Sequence, residues 1–432
     1  MLTSLFTDHY ELTMLQATLA SGAAQRPSVF EAFARRLPDG RRYGVVAGTG
    51  RLLEGLANFR FEDEQLKFLA DHKVVNKQTL NYLENFKFSG NITGYQEGEL
   101  YFPNSPILTV ESTFAEACVI ETFVLSVLNH DSAIASAASR MIAAAGDRPC
   151  IEMGSRRTHE EAAVASARAA TIAGFDSTSN LEAGARYGIP TVGTSAHSFT
   201  LLHETERAAF QAQVEALGVD TTLLVDTYDV ENGVRTAVEV AGPELGAVRL
   251  DSGDLVQQAT WVRELLDDLG NWNTKITVTS DLDEYAIAAL ASAPVDSYGV
   301  GTALVTGSGH PTASMVYKLV ARQEASGTWV PVAKVAANKA STGGRKQGFR
   351  QLNERNRAIN ELVVLGERQP AERERALTLP LVTAGEIDQQ YTGASGVQLA
   401  RQRHYESIQE MPGIARRLQR GEPVIPTEIV NE

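Results

Sequence analysis

The chain has 432 residues, 43% of them hydrophobic, and a formal net charge of −14 at pH 7. That length and apolar content supply a large core spread over two or three domains. The acidic balance excludes a general nucleic-acid binder but not a local cationic pocket for a phosphorylated small molecule. Cys118 and Cys150 are the only cysteines, too few for a disulfide framework or a cysteine zinc site, which points to a reducing, cytoplasmic setting.

The opening stretch, MLTSLFTDHYEL, lacks a basic segment followed by an apolar run, so no signal peptide is expected. Thr7 or Asp8 is placed to cap a helix carrying Tyr10, which is either core packing or an aromatic face for a ligand ring. Residues 28–33 alternate as a strand. A turn follows at 35–40, and 43–47 reads as the returning strand. Residues 63–86 are charged and helical. Residues 90–112, with glycines and prolines between short β-rich pieces, predict a small antiparallel module. Residues 114–145 continue as one long helical stretch. Its first part, 114–128, is too short and too charged (Glu116, Glu121) to cross a membrane.

From Ile151 the pattern becomes strand, polar end, helix. Short apolar runs end at 154–159, 176–180, 193–198, 226–229, 251–254, 279–281 and 301–306. Helices are expected at 160–172, 200–217 and 255–269. This predicts an α/β class and an irregular barrel of seven recognisable strands whose polar carboxyl ends form one active face. An eighth strand is not placed. The array stops after Tyr317. Residues 330–349 are strand-like and then basic (Lys334, Lys339, Arg345, Lys346): a solvated loop, or an arm that reaches a phosphate. Residues 401–420 read as a charged helix. The expected division is an N-terminal α+β domain over 1–145, the barrel over 146–330, and a basic arm with a helical segment packing back on the N-terminal domain over 331–432.

On the active face, residues 189–198 (IPTVGTSAHS) bring His197, the one group there able to act as base or nucleophile near neutral pH, next to the hydroxyls of Thr194 and Ser198. A histidine after a strand is more often a structural hydrogen-bonding residue; its neighbours at the other strand ends lift this one. Arg249 lies two residues before Asp251, so a strand presents both on one face, as a substrate clamp or a structural ion pair. The adjacent cations Arg156 and Arg157 call for an anion. Gly299, Gly301 and Thr302 suit a phosphate-holding turn, although glycines are also common turn residues. No GxxxxGK[ST], GxGxxG, GxSxG or HExxH is present, which argues against a P-loop NTPase and a bound NAD.

TDHYELTM, EMGSRRTH, VGTSAHS, VRLDSGDL, TSDLDE and GVGTALVT, in that order, closely resemble the nicotinate phosphoribosyltransferase family over residues 7–350. The resemblance implies an irregular α/β barrel of the type II phosphoribosyltransferase kind, with an N-terminal α+β domain, in a homodimer with active sites at the subunit interface. The implied reaction joins nicotinate to phosphoribosyl pyrophosphate (PRPP), giving nicotinate mononucleotide and diphosphate with hydrolysis of ATP, in NAD salvage. It makes His197 a phosphohistidine, and Tyr10 the residue stacked on the pyridine ring. Thr194 and Arg249 hold nicotinate, Asp251 lies near the ribose and Mg²⁺, and Arg156 lies beside pyridine and phosphate. Ser198, Ser252 and Asp281 are further substrate-binding positions, Gly301 and Thr302 the phosphate turn, and Lys339 and Lys346 belong to the phosphate-approaching arm. Mg²⁺ accompanies PRPP and ATP. With no cysteine after Cys150, the zinc knuckle of some relatives is not expected. No aspartate stands in Thr178-Ser179-Asn180, which favours the acid over the amide. Rival readings are a nicotinamide or quinolinate phosphoribosyltransferase, a barrel lyase or aldolase for phosphorylated sugars, and a non-catalytic nucleotide sensor. No strand of the array ends in the lysine that a Schiff-base aldolase needs.

Overall fold

The computed structural model describes residues 2–334 and 341–431. Lys339 therefore lies outside the described residues. Two compact units emerge. One comprises Met1–Ser136, His310–Ala415 and Gln419–Glu432, the other Ala137–Gly309 and Arg416–Leu418.

The second unit carries the parallel array. Cys150–Glu152 pairs with Ser177–Thr178 on one side and with Ser297–Val300 on the other. Ser297–Val300 continues to Lys275–Val278, then Ala247–Leu250, then Thr222–Leu224. The first strand of the array thus bonds the last, and the sheet curls into an α/β half-barrel, as the spacing predicts. Val248, Leu250, Ile276, Val278, Tyr298 and Val300 are fully buried in it. Because all strands run parallel, their carboxyl ends share one edge.

The strand expected at 189–192 is absent. Thr191 makes only an isolated bridge to Thr178. Pro190 has no N–H to give to a ladder. Only its carbonyl, accepting from Thr178 N–H, and the Val192 N–H, donating to Thr178 O, are engaged there. Among the described residues no ladder joins this segment to Thr222–Leu224, so the ring stays open at that point. The helix expected over 200–217 is two helices, His197–Leu202 and Glu206–Leu217. Thr205 begins the second by accepting the Ala208 N–H on its side chain.

The first unit is built on a seven-stranded sheet in the order Trp329–Pro331, Met315–Gln323, Pro27–Ala34, Leu108–Thr113, Asn91–Tyr95, Thr378–Thr383, Glu386–Ile387. Residues 90–112 are antiparallel as expected, Asn91–Tyr95 pairing with Leu108–Thr113, but they belong to this larger sheet and do not form a small module of their own. Residues 43–47 do not return along 28–33 either. Both sides of Pro27–Ala34 are occupied by Met315–Gln323 and Leu108–Thr113, and Gly44–Val45 pairs instead with Leu100–Tyr101. The helical stretch at 114–145 is divided into Phe114–Val119 and Glu121–Ala145. The expected helix at 401–420 is Gly393–Glu410, followed by a short turn of helix at Gly413–Arg416. Residues 346–431 also supply a four-stranded sheet that the sequence reading did not anticipate.

Candidate active site

His197 opens its helix, and its side chain is 41% exposed. Nδ1 lies 3.1 Å from Thr227 Oγ1. Nε2 lies 3.9 Å from Asp226 Oδ1 and 3.8 Å from Asp251 Oδ2. Those last two separations exceed a hydrogen bond, so the carboxylates act on the ring as nearby charges.

Asp226 is held from the other side. Its Oδ2 accepts the Asp251 N–H at 2.8 Å and the Ser252 hydroxyl at 2.9 Å. Arg249 is the hub of the floor. Nε donates to Thr279 Oγ1 at 2.9 Å, and one terminal nitrogen donates to Thr194 Oγ1 at 2.8 Å and Ser195 O at 3.1 Å. The other donates to Asp251 Oδ1 at 3.2 Å. A guanidinium has five N–H groups, so four are engaged, and a two-pronged grip on a substrate carboxylate requires one of these bonds to open. Thr279 Oγ1 also donates to Asp251 Oδ1.

The remaining strand ends lie along the same edge. Arg156 sits exposed in the turn Ser155–Arg157, directly after Cys150–Glu152. Asp281 is exposed after Lys275–Val278. Ser198 is exposed on the helix of His197. Gly301 precedes the single helical turn Thr302–Val305, with Thr302 exposed. Gly299 has no room for a side chain, because a Cβ would sit 2.6 Å from Thr279 and 2.7 Å from Met153.

Tyr10 belongs to the other unit, on the helix His9–Ser21, where it is 47% exposed. Partial burial, then Glu121 and Glu11, push its phenol above the ordinary range. In that unit Lys346 is buried against Glu31 at 2.9 Å, and Arg345 pairs with Glu111 and stacks on Trp329 at 4.4 Å. Lys346 is thus committed to a buried ion pair and not to a free arm.

Three groups escaped the sequence reading as site residues: Thr227, Thr279 and Glu152. Thr227 directly follows Asp226, and Thr279 stands two residues before Asp281, which was the available signal. Glu152 looked like an ordinary strand residue. Glu206 is also notable: burial, followed by Asp229 and Asp226, raises its carboxyl to about 7.

Two family models match the chain: the nicotinate phosphoribosyltransferase N-terminal domain over residues 5–129 and the nicotinate phosphoribosyltransferase family over 149–362. The chain belongs to the nicotinate phosphoribosyltransferase family. It is a phosphoribosyltransferase enzyme. It is 56% identical over 436 residues to nicotinate phosphoribosyltransferase pncB1 of Mycobacterium tuberculosis, covering 99% of this chain and 95% of that one. Its fold is similar to that of human nicotinic acid phosphoribosyltransferase, with a TM-score of 0.83 at 24% identity over 98% and 97% of the two chains. It is also similar to nicotinate-nucleotide pyrophosphorylase from Pyrococcus furiosus, with a TM-score of 0.75 at 25% identity over 94% and 95%.

Proposed function

We propose that this enzyme joins nicotinate to PRPP in NAD salvage and couples the transfer to ATP through a phosphohistidine at His197. The observation that carries the reading is the ring of Thr227, Asp226 and Asp251 around that imidazole. With its proton on Nε2, facing the two carboxylates, the ring keeps the Nδ1 lone pair toward Thr227, and that nitrogen is a competent acceptor for the γ-phosphoryl group. Thr194, Ser195 and Asp251 fix the plane of Arg249, which draws in the nicotinate carboxylate. The pyridine nitrogen itself attacks the anomeric carbon, so no strong general base is required. Arg156 and the turn at Gly301 and Thr302 serve the charge of the leaving diphosphate and the ribose phosphate. Ser198, Ser252 and Asp281 complete the substrate contacts. Tyr10, in a homodimer whose active sites lie at the subunit interface, stacks on the pyridine ring.

Mg²⁺ supplies charge neutralisation to PRPP and ATP. Asp251 and the unpartnered oxygen of Asp226 fit such a cation. Among the described residues no group of three His, Cys, Asp or Glu is placed to hold a metal, which suits an ion delivered with substrate phosphates. A cytoplasmic location is supported by two buried, unpaired thiols. No helix of the described residues is long and apolar enough to cross a membrane.

The test is His197→Ala assayed with PRPP and nicotinate, with and without ATP. The expected result is loss of ATP hydrolysis and of the ATP-dependent gain, with slow transfer surviving. Unchanged stimulation by ATP would remove the phosphohistidine role. Competition among nicotinate, nicotinamide and quinolinate in the same assay decides the base.

A further inference from the structure

We infer that Glu152 is a positioning residue that locks the Arg156 turn onto the end of the neighbouring strand. The inference rests on the role given above to Arg156. Glu152 is fully buried at the end of Cys150–Glu152. One carboxylate oxygen accepts the Gly154 N–H at 2.5 Å, and the other accepts the Thr178 hydroxyl at 2.5 Å. Thr178 Oγ1 in turn accepts the Asn180 N–H at 2.9 Å, and Asn180 Nδ2 donates to Ser155 Oγ at 3.0 Å. The chain of bonds closes on itself: Glu152, Thr178, Asn180, Ser155, and back through Gly154. Arg156 is the next residue along.

The turn is confined on its other side as well. A Cβ at Gly154 would meet Val305 at 2.2 Å and Gly301 O at 3.1 Å. The loop bearing Arg156 is therefore seated between the strand end at 177–180 and the turn at 301–305. A shift of the loop toward solvent breaks the Gly154 bond to Glu152 and the Ser155 bond to Asn180.

The choice of residue argues for a positioning task. A buried carboxylate without a cation is costly, and burial raises the pKa of this one. Two donors converge on it from opposite sides, and only a carboxylate accepts both. An amide would turn an NH₂ toward one of them. Mere filling of the site would be served more cheaply by an apolar side chain.

The experiment is a double-mutant cycle between Glu152→Gln and Arg156→Ala, read as kcat/KM for PRPP, with melting temperature followed in parallel. Glu152→Gln alone is expected to lower kcat/KM about tenfold, mostly through KM, the size expected for one lost hydrogen bond to a charged group. In the Arg156→Ala background it is expected to cost nothing further. Ser155→Ala opens the same ring without touching the buried carboxyl and is expected to give a smaller loss that also vanishes without Arg156. Equal losses in both backgrounds, or a fall in melting temperature with KM unchanged, would overturn the inference and leave the reading of Arg156 intact. An Arg156→Ala enzyme with unchanged kcat/KM would overturn that reading and the inference with it.

Discussion

Nε2 of His197 lies 3.9 Å from Oδ1 of Asp226, and that oxygen has no hydrogen-bond partner among the described residues. The other oxygen of the same carboxylate is bound by Asp251 N–H and Ser252 Oγ, and the side chain is 1% exposed. A buried acceptor left unsatisfied is costly. It is tolerated here beside a ring that gains from it when a proton or a phosphoryl group arrives.

Asp226→Asn is therefore expected to act through His197. The amide keeps an oxygen for Asp251 and Ser252 and turns an NH₂ toward Nε2, which favours the wrong tautomer. ATP hydrolysis should fall by at least about tenfold more than ATP-independent transfer. Steady-state assays with and without ATP measure both. Equal losses would mean that Asp226 supports the site without tuning the imidazole.

Arg249→Lys tests the floor. Four separate bonds fix the guanidinium plane, and a lysine has no planar fork to replace them. The expected cost is roughly 2–3 kcal/mol in kcat/KM, about a hundredfold. Most of it should appear in the KM for nicotinate and much less in that for PRPP. An unchanged nicotinate KM would remove Arg249 from recognition of the base.

Much of this site was legible in the sequence because parallel strands end in polar residues on one edge, which groups Asp226, Arg249, Asp251 and Asp281, whereas His197 follows a segment that forms no strand. What was not legible depends on contacts distant along the chain. Residues 189–192 have a strand's composition but lie at the open point of the ring, with Pro190 unable to donate. Residues 43–47 read as a returning strand, yet the partner of Gly44–Val45 is Leu100–Tyr101, because Met315–Gln323 takes the place beside Pro27–Ala34. Lys346 reads as part of a basic arm until Glu31, 315 residues away, is seen beside it. Glu152 carries no local sign of its task, since its donors Gly154 and Thr178 come from two different strand ends.

Ser280 has φ 127°, a conformation that side chains disfavour and glycine accepts. It lies between Thr279, which bonds Asp251, and Asp281, and its carbonyl accepts the Leu282 N–H at 2.8 Å. Ser280→Gly is expected to stabilise the protein by about 1 kcal/mol, after the entropic cost of a glycine is subtracted from the strain relieved. Ser280→Val, branched at Cβ, should lower the melting temperature. Thermal melts of the two variants decide it, and a Ser280→Gly protein less stable than the parent would refute the strain argument.

His404 gives the pH dependence a definite sign. It is buried on Gly393–Glu410, with Nδ1 3.3 Å from Gly98 O. Burial lowers its pKa to about 4, opposed by the Gly98 carbonyl and Glu99 and assisted by Arg401 and Arg403. Between that value and the ordinary 6.5, the unfolded chain takes up a proton that the folded chain refuses. The stability is therefore fully present above about pH 6.5 and drains away as the pH falls toward 4, by up to roughly 3 kcal/mol. His404→Gln keeps a donor for Gly98 but cannot titrate. The stability advantage of the parent over this variant should shrink steadily from pH 7.5 to pH 4.5. Denaturant titrations at several pH values measure the difference. Parallel curves would show that His404 does not set the acid limb.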